Sequence, residues 1–413
     1  MHRILVTERG WVGEQRYLRA LNYCMLLPGP EAQQLATYLG WLLHGVRGGL
    51  LAGGLFILPG ALSLAVLSVL YVLGRDVPVA AAALAGVQAV VIALVIEAVM
   101  RLRKRALVGR VERILAVLSF LALAAFGAPF PLVVAIAAIV GALRPRAPTA
   151  VGGADDALVD RLFAPGLPPR LQPRIGATIG TAALWLSLWL GPIVLLAALL
   201  GPDALLTRLG AFFAQAAVVT FGGAYALLAW VAQHAVADQG WLSTNEMLDG
   251  LAMAETTPGP LIQIVQFVGF LAAWREPGGM NPWVAAGLGS IITVWVTFAP
   301  SFLWVFVGAP WMERVSAQPR LQGALRGVTA AVVGVIAHLA FWSAVHVCFR
   351  EVPAVEGWVR VPVPVWASVD LASLALGIAA TVAALRFHVS MFRLVGGGAL
   401  AGIAAWALWG WAG

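Results

Sequence analysis

Charge is what this chain has least of. Of its 413 residues only 11% are charged, 26 Lys or Arg and 19 Asp or Glu, against about 25% in an average soluble domain. Hydrophobic residues reach 61% and mean hydropathy is +0.90. That shortage excludes a soluble enzyme, a disordered chain and a nucleic-acid-binding module. The net charge of +7 sits in short Lys/Arg clusters between apolar runs, the pattern that orients membrane proteins. Cysteine is nearly absent as well. Cys24 and Cys348 cannot build a disulfide framework, and neither stands in a metal-ligand spacing. No P-loop, GxSxG, HExxH or CxxC spacing occurs, so nucleotide hydrolysis and intramembrane proteolysis lack support, and neither enzyme chemistry, a cofactor nor a metal is expected. The opening residues MHRILVTERGW are too polar for a secretory signal. What is left is an integral membrane protein.

A spanning helix needs about 20 predominantly apolar residues. Such stretches recur at Gly49–Gly74, Val77–Ile96, Ile175–Pro202, Leu209–Gln233, Thr256–Trp274, Pro277–Met312, Gly327–Phe349, Trp366–Leu385 and Leu394–Trp411. Ile114–Leu143 carries Gly127-Ala128-Pro129-Phe130-Pro131 in its middle, which predicts a hairpin of two short helices. Ala20–Val46 is apolar but interrupted by Pro28-Gly29-Pro30-Glu31. The length and Gly/Pro content exclude β-barrel strands. The expected fold is therefore all-α and polytopic, with about twelve membrane helices, two of them broken, or ten spans if the broken pair re-enter.

The chain repeats itself. At an offset of 230, Gly10-Trp11 matches Gly240-Trp241, Pro28-Gly29-Pro30 matches Pro258-Gly259-Pro260, and Gln33 matches Gln263. At an offset of 241, Pro59 meets Pro300 and Gly86-Val87 meets Gly327-Val328. The organisation that follows is an N-terminal repeat over 1–143, a polar cytoplasmic linker over 144–174, a connecting membrane helix over 175–202 and a C-terminal repeat over 203–413. Only nine residues precede Gly10, whereas an apolar helix containing Phe221-Gly222-Gly223 precedes Gly240; the first copy is expected to lack its leading helix. With the 101–113 cluster placed inside by the positive-inside rule, Arg47 and the linker also fall inside, Arg75/Asp76 outside, and equivalent loops of the two copies lie on opposite faces. That is an inverted-topology repeat, a pattern of secondary transporters.

The paired Pro-Gly-Pro breaks are the candidate site. Proline ends a helix, a second Pro two residues on opens a new one, and freed backbone groups persist in a membrane only where protein or a wet cavity satisfies them. A half-helix N-terminus presents unpaired N–H groups and partial positive charge, which suits an anion. The expected substrate-binding residues are Asn22, Pro28, Gly29, Pro30, Gln33 and Gln34 in the first copy. In the second they are Phe221, Gly222, Gly223, Thr256, Thr257, Pro258, Gly259, Pro260 and Gln263. Both triplets are expected to face one cavity. An intramembrane carboxylate is by default a functional-site hypothesis, often a proton relay, so Glu255, and secondarily Glu31, are read as proton-coupling groups. The Arg101–Arg105 cluster is read as an orientation anchor, the 17 Trp as interfacial belts, and His338 and His346 as packing residues rather than metal ligands.

At these motifs the sequence resembles the chromate ion transporter family, specifically its long, two-domain members. The similar stretches are ALNYCMLLPGPEAQQLATYLGW from Ala20, Gly53–Gly60, Thr220–Leu271 and Thr297–Phe302. Family members carry an FGG-containing helix before the first Gly-Trp, where this sequence has nine residues; a late-assigned start or a lost helix would each account for the departure. The resemblance implies export of chromate, a tetrahedral dianion, from the bacterial cytoplasm across the inner membrane, driven by the proton motive force. The partners it implies are the oxyanion, protons and the lipid bilayer, with no nucleic acid; a homodimer stays open. A sulfate or molybdate carrier is the nearest alternative, and an anion channel a more distant one.

Overall fold

The computed structural model describes all residues except 26, 75–76, 145–171, 173, 220–223, 313–317, 354–360 and 411–413. The linker expected at 144–174 thus lies outside the described residues apart from Arg144, Gln172 and Arg174, and so do Phe221, Gly222 and Gly223. The first half contains α1 (Glu14–Cys24), α2 (Glu31–Gly74), α3 (Pro78–Ala106), α4 (Arg110–Phe126) and α5 (Phe130–Ala142). Then come α6 (Ile175–Leu200), α7 (Leu205–Val219), α8 (Ala224–Gln233), α9 (Thr244–Thr256), α10 (Ile264–Arg275) and α11 (Pro282–Gly308). The chain closes with α12 (Pro319–Cys348), α13 (Leu371–Phe387) and α14 (Met391–Trp409). The protein is an all-α polytopic membrane protein, and six of the described helices are long and apolar enough to cross a bilayer. The helix expected over Leu209–Gln233 is described on either side of residues 220–223, as α7 and α8.

At both Pro-Gly-Pro triplets the chain turns back on itself, so the helices on either side pack together as a hairpin. In the second copy an added Cβ on Gly250, eight residues before Pro258, would strike the Phe267 ring. The base of this hairpin is clamped by an ion pair between Glu246 and Arg275. Arg275 also donates to Trp241 O at 3.1 Å, and a reciprocal Ser243/Glu246 capping box starts α9. In the first copy Tyr23 and Tyr38, on either side of the break, lie 6.2 Å apart. Thirteen residues of helix span about 20 Å, short of the roughly 30 Å hydrocarbon core; α9 and α10 are half-helices by length. A second reversal follows each hairpin. Within α2 it falls at His44 and Gly45, where Gly45 has φ +65°, and small residues let the arms touch: Gly40 meets Gly48, as Gly269 of α10 meets Gly289 of α11.

The halves are built alike and interleaved. Trp11 N donates to Leu5 O and Trp241 N to Ala235 O, both at 2.9 Å and 230 residues apart. Gly10 and Gly240 share positive φ, +57° and +62°. The α4–α5 hairpin of the first half packs on α12 of the second, through Ala137 and Gly141 against Gly327 and Gly323. The α13–α14 hairpin packs on α3 in the reciprocal way, through Gly398 and Gly402 against Gly86 and Ala82. The triplets exchange too: Gly29 abuts Ser301 of α11, and Gly259 abuts Gly60 of α2. The contacts are thus exchanged pairwise between the halves.

Helix α6 lies outside this interleaved body against α7 and α11, with most of its surface exposed and Trp185 and Trp189 buried. Its attachment has a specific cause. Pro300 and Pro192 lack an N–H, which frees the carbonyls four residues earlier, Val296 and Leu188. The indole of Trp189 donates to Val296 O at 2.9 Å, and that of Trp295 donates to Leu188 O at 2.7 Å. Each helix satisfies the carbonyl that the other helix's proline leaves open.

Candidate anion site

Pro30 of the first triplet, Gly259 and Pro260 of the second, and both candidate carboxylates line one cavity of about 760 Å³, whereas Pro28, Gly29 and Pro258 stand off it. Pro30, Glu31 and Ala32 open the first arm of α2 into it, and Gly259, Pro260 and Leu261 open the helical run Leu261–Arg275. Glu255, at the end of α9, lies beside them and is 4% exposed. The first-turn N–H groups of these helices have no intrahelical acceptor. Two such ends directed at one space supply donors and positive potential together. The geometry is sharp because Gly29 and Gly259 take φ +116° and +151°, a region that L side chains rarely enter.

The remaining expected site residues divide into three groups. Gln33, Gln34 and Gln263 are fully buried just inside the helix starts. Gln34 Nε2 donates to Pro28 O at 2.7 Å, which braces the first turn, and Gln263 Nε2 donates to Gln266 Oε1 at 3.0 Å. The amide oxygens of Gln33 and Gln263, equivalent in the two copies, have no hydrogen-bond partner among the described residues. Thr256 and Thr257 commit their hydroxyl protons to Met253 O and Ala254 O, at 2.7 and 2.9 Å, so they close α9 rather than offer donors to the cavity. Pro258 is exposed and contacts α2 through its carbonyl near Gly60. Asn22 is exposed on α1 and is not part of the cavity lining.

Sequence reasoning missed four residues of the lining: Glu97, Arg101 and Arg105 on α3, and His388 in the α13–α14 turn. The signal was present. Positions 97, 101 and 105 recur every four residues, so they share one stripe of an otherwise apolar helix. Arg101 Nη2 meets Glu97 Oε1 at 2.5 Å. His388 is the sole non-glycine residue at positive φ among the described residues, +51°. Asp249 was missed as well. Buried on α9, it accepts from Tyr71 Oη at 2.9 Å and from Gln88 Nε2 at 2.7 Å, tying the α9–α10 hairpin to α2 and α3.

An all-α membrane body in which two helix starts after paired Pro-Gly-Pro breaks meet at a charged cavity has the features of a transporter built from repeats. Comparison with known proteins agrees. A sequence model described as chromate transporter matches residues 1–142 and 207–403, and the chain belongs to that family. It is 33% identical to a chromate transport protein of Pseudomonas aeruginosa over 81% of this chain and 73% of that one. It is 30% identical to a probable chromate transport protein of Synechococcus elongatus over 82% and 76%. A chromate transport protein of Cupriavidus metallidurans is 29% identical over 81% and 74%. No solved structure matches the chain.

Proposed function

We propose that this chain moves chromate, or a closely similar tetrahedral dianion, out of the bacterial cytoplasm across the inner membrane. The observation that carries the reading is the convergence of two half-helix N-termini and two arginines on one cavity, in a chain whose relatives are named for chromate transport. Backbone N–H groups and guanidinium groups recognise charge and oxygen geometry, not the central atom. Sulfate and molybdate are therefore the competing substrates. An inverted arrangement of the halves would put the breaks near mid-membrane, the depth at which repeat-built transporters gate alternating access.

The driving force follows from charge. A membrane potential of 100 mV, negative inside, favours exit of two negative charges by about 4.6 kcal/mol. One proton carried along cancels half of that. The lining holds three carboxylates, Glu31, Glu97 and Glu255, besides Arg101 and Arg105, so an incoming dianion meets charges of its own sign. Like charges disfavour one another, and a proton taken up by Glu255, secondarily by Glu31, relieves the repulsion. Anion and proton then promote each other's binding by the same factor.

Calorimetric titration of the purified protein with chromate, in buffers of different ionisation enthalpy at a pH above neutrality, tests both parts. The parent should bind chromate with proton uptake. Glu255→Gln should still bind it with at least half of that uptake gone. Unchanged uptake would make Glu255 structural, and absence of chromate binding by the parent would refute the substrate.

A further inference from the structure

One wall of the cavity is formed by the two half-helix starts, with Pro30 and Pro260 buried, and the other runs to Arg101 and Arg105, which are exposed on α3. Arg103 and Lys104, on the same helix, are exposed but do not line it. Arg105 stands in the last turn of α3, where the helix dipole favours a cation. Arg101 is engaged by the Glu97 carboxylate at 2.5 Å, with the two side chains 70% and 32% exposed. A pair this accessible to water contributes little, so a stronger ligand can displace the carboxylate. The other ionisable groups on the lining are Glu31 and Glu255 deeper in and His388 across from α3.

We infer that Arg101 and Arg105 form a second anion-binding station at the mouth of the cavity, with the Glu97 carboxylate as its exchangeable counter-ion. The station takes a tetrahedral oxyanion dianion from solvent before the half-helix N-termini receive it. This rests on the anion-transport reading above and adds a site to it. The guanidinium fork matches two oxygens of a carboxylate or of a tetrahedral oxyanion equally well. A dianion also engages Arg105, which the single negative charge of Glu97 cannot do while it pairs with Arg101; the exchange therefore favours doubly charged ligands. Without such a station the dianion would meet Glu31 and Glu255 with no compensating side-chain charge.

The test is equilibrium binding of chromate, sulfate and molybdate to the purified full chain and its variants at low and high salt. Arg101→Gln and Arg105→Gln should each weaken binding about tenfold at low salt, and less at high salt, because exposed charges are screened within about 8–10 Å. Glu97→Gln should tighten binding severalfold. Arg103→Gln, equally exposed but off the cavity, should match the parent. Equal affinities for the Arg101, Arg103 and Arg105 variants, or weaker binding by Glu97→Gln, would overturn the station. A parent that binds sulfate or molybdate but not chromate overturns the chromate reading alone, and the ranking of variants with the bound anion still decides the station. A parent that binds none of the three overturns both.

Discussion

Gly29 and Gly259 set the angle of both hairpins, but their surroundings differ. A Cβ on Gly259 would lie 3.1 Å from Gly60 Cα, a backbone atom with nowhere to go, whereas one on Gly29 would lie 2.8 Å from the Ser301 hydroxyl, which can rotate. Both substitutions carry the cost of an unfavourable φ, about 1–3 kcal/mol. Gly259→Ala is expected to lower the melting temperature of the detergent-purified protein more than Gly29→Ala does; the reverse order would show that Ser301 is held fixed. His388 presents the opposite case. It caps α13 in the left-handed region at φ +51°, where the corresponding cap of α4, Gly127, has φ +56°. An L residue there costs roughly 1–2 kcal/mol. His388→Gly should therefore stabilise the fold by about 1 kcal/mol. A destabilised variant in chemical denaturation would mean that the imidazole's contacts outweigh the backbone cost.

Among the helices, the α6–α11 pair makes the clearest test of cause. If the two indoles are there to satisfy carbonyls freed by proline, Trp189→Phe should cost about 1–3 kcal/mol, the penalty for a buried acceptor left open. Adding Pro300→Ala should then recover much of the loss, because residue 300 regains an N–H for Val296. A double-mutant cycle of Trp189→Phe with Pro300→Ala measures this coupling, and strictly additive losses would refute it. These two tryptophans also show where sequence reading stops. Read one at a time, they look like interfacial belt residues, because the carbonyls they serve belong to a helix roughly a hundred residues away. The Pro-Gly-Pro breaks were legible because proline acts on its own helix. The hairpin at 127–129 was legible for the same reason, and the structure places a turn there. Arg101 and Arg105 were taken for orientation anchors because a basic helix end serves both roles; only the arrival of α13 and α14 beside α3 makes them a wall.

At the scale of the whole molecule, the collinear repeat in the sequence reappears as exchanged contacts, and it carries a prediction about sidedness. Pro129 and Ser390 occupy equivalent exposed turns of the two hairpins. Pro129→Cys and Ser390→Cys should react with an impermeant maleimide from opposite faces of oriented vesicles. The native Cys24 and Cys348 are buried and should give little background. Labelling from the same face would refute the inverted arrangement. The exchange was not legible in the sequence, since a repeat dictates that two units are alike but not which unit supplies the partner surface.

The exchanged hairpins also make the fold a matter of timing. The α4–α5 hairpin leaves the ribosome with its small-residue face, Ala137 and Gly141, prepared for Gly327 and Gly323 of α12, which lie almost 190 residues further along the chain. At about 5–20 residues per second, that surface waits roughly 10–40 s in the membrane before its partner is synthesised. During the wait it is open to insertion chaperones, membrane proteases and neighbouring nascent chains. The second half never faces this delay, because α3 is already in place when α13 and α14 emerge. Slowing translation between codons 143 and 319 should therefore reduce the yield of folded protein, whereas the same slowing after codon 350 should leave it unchanged.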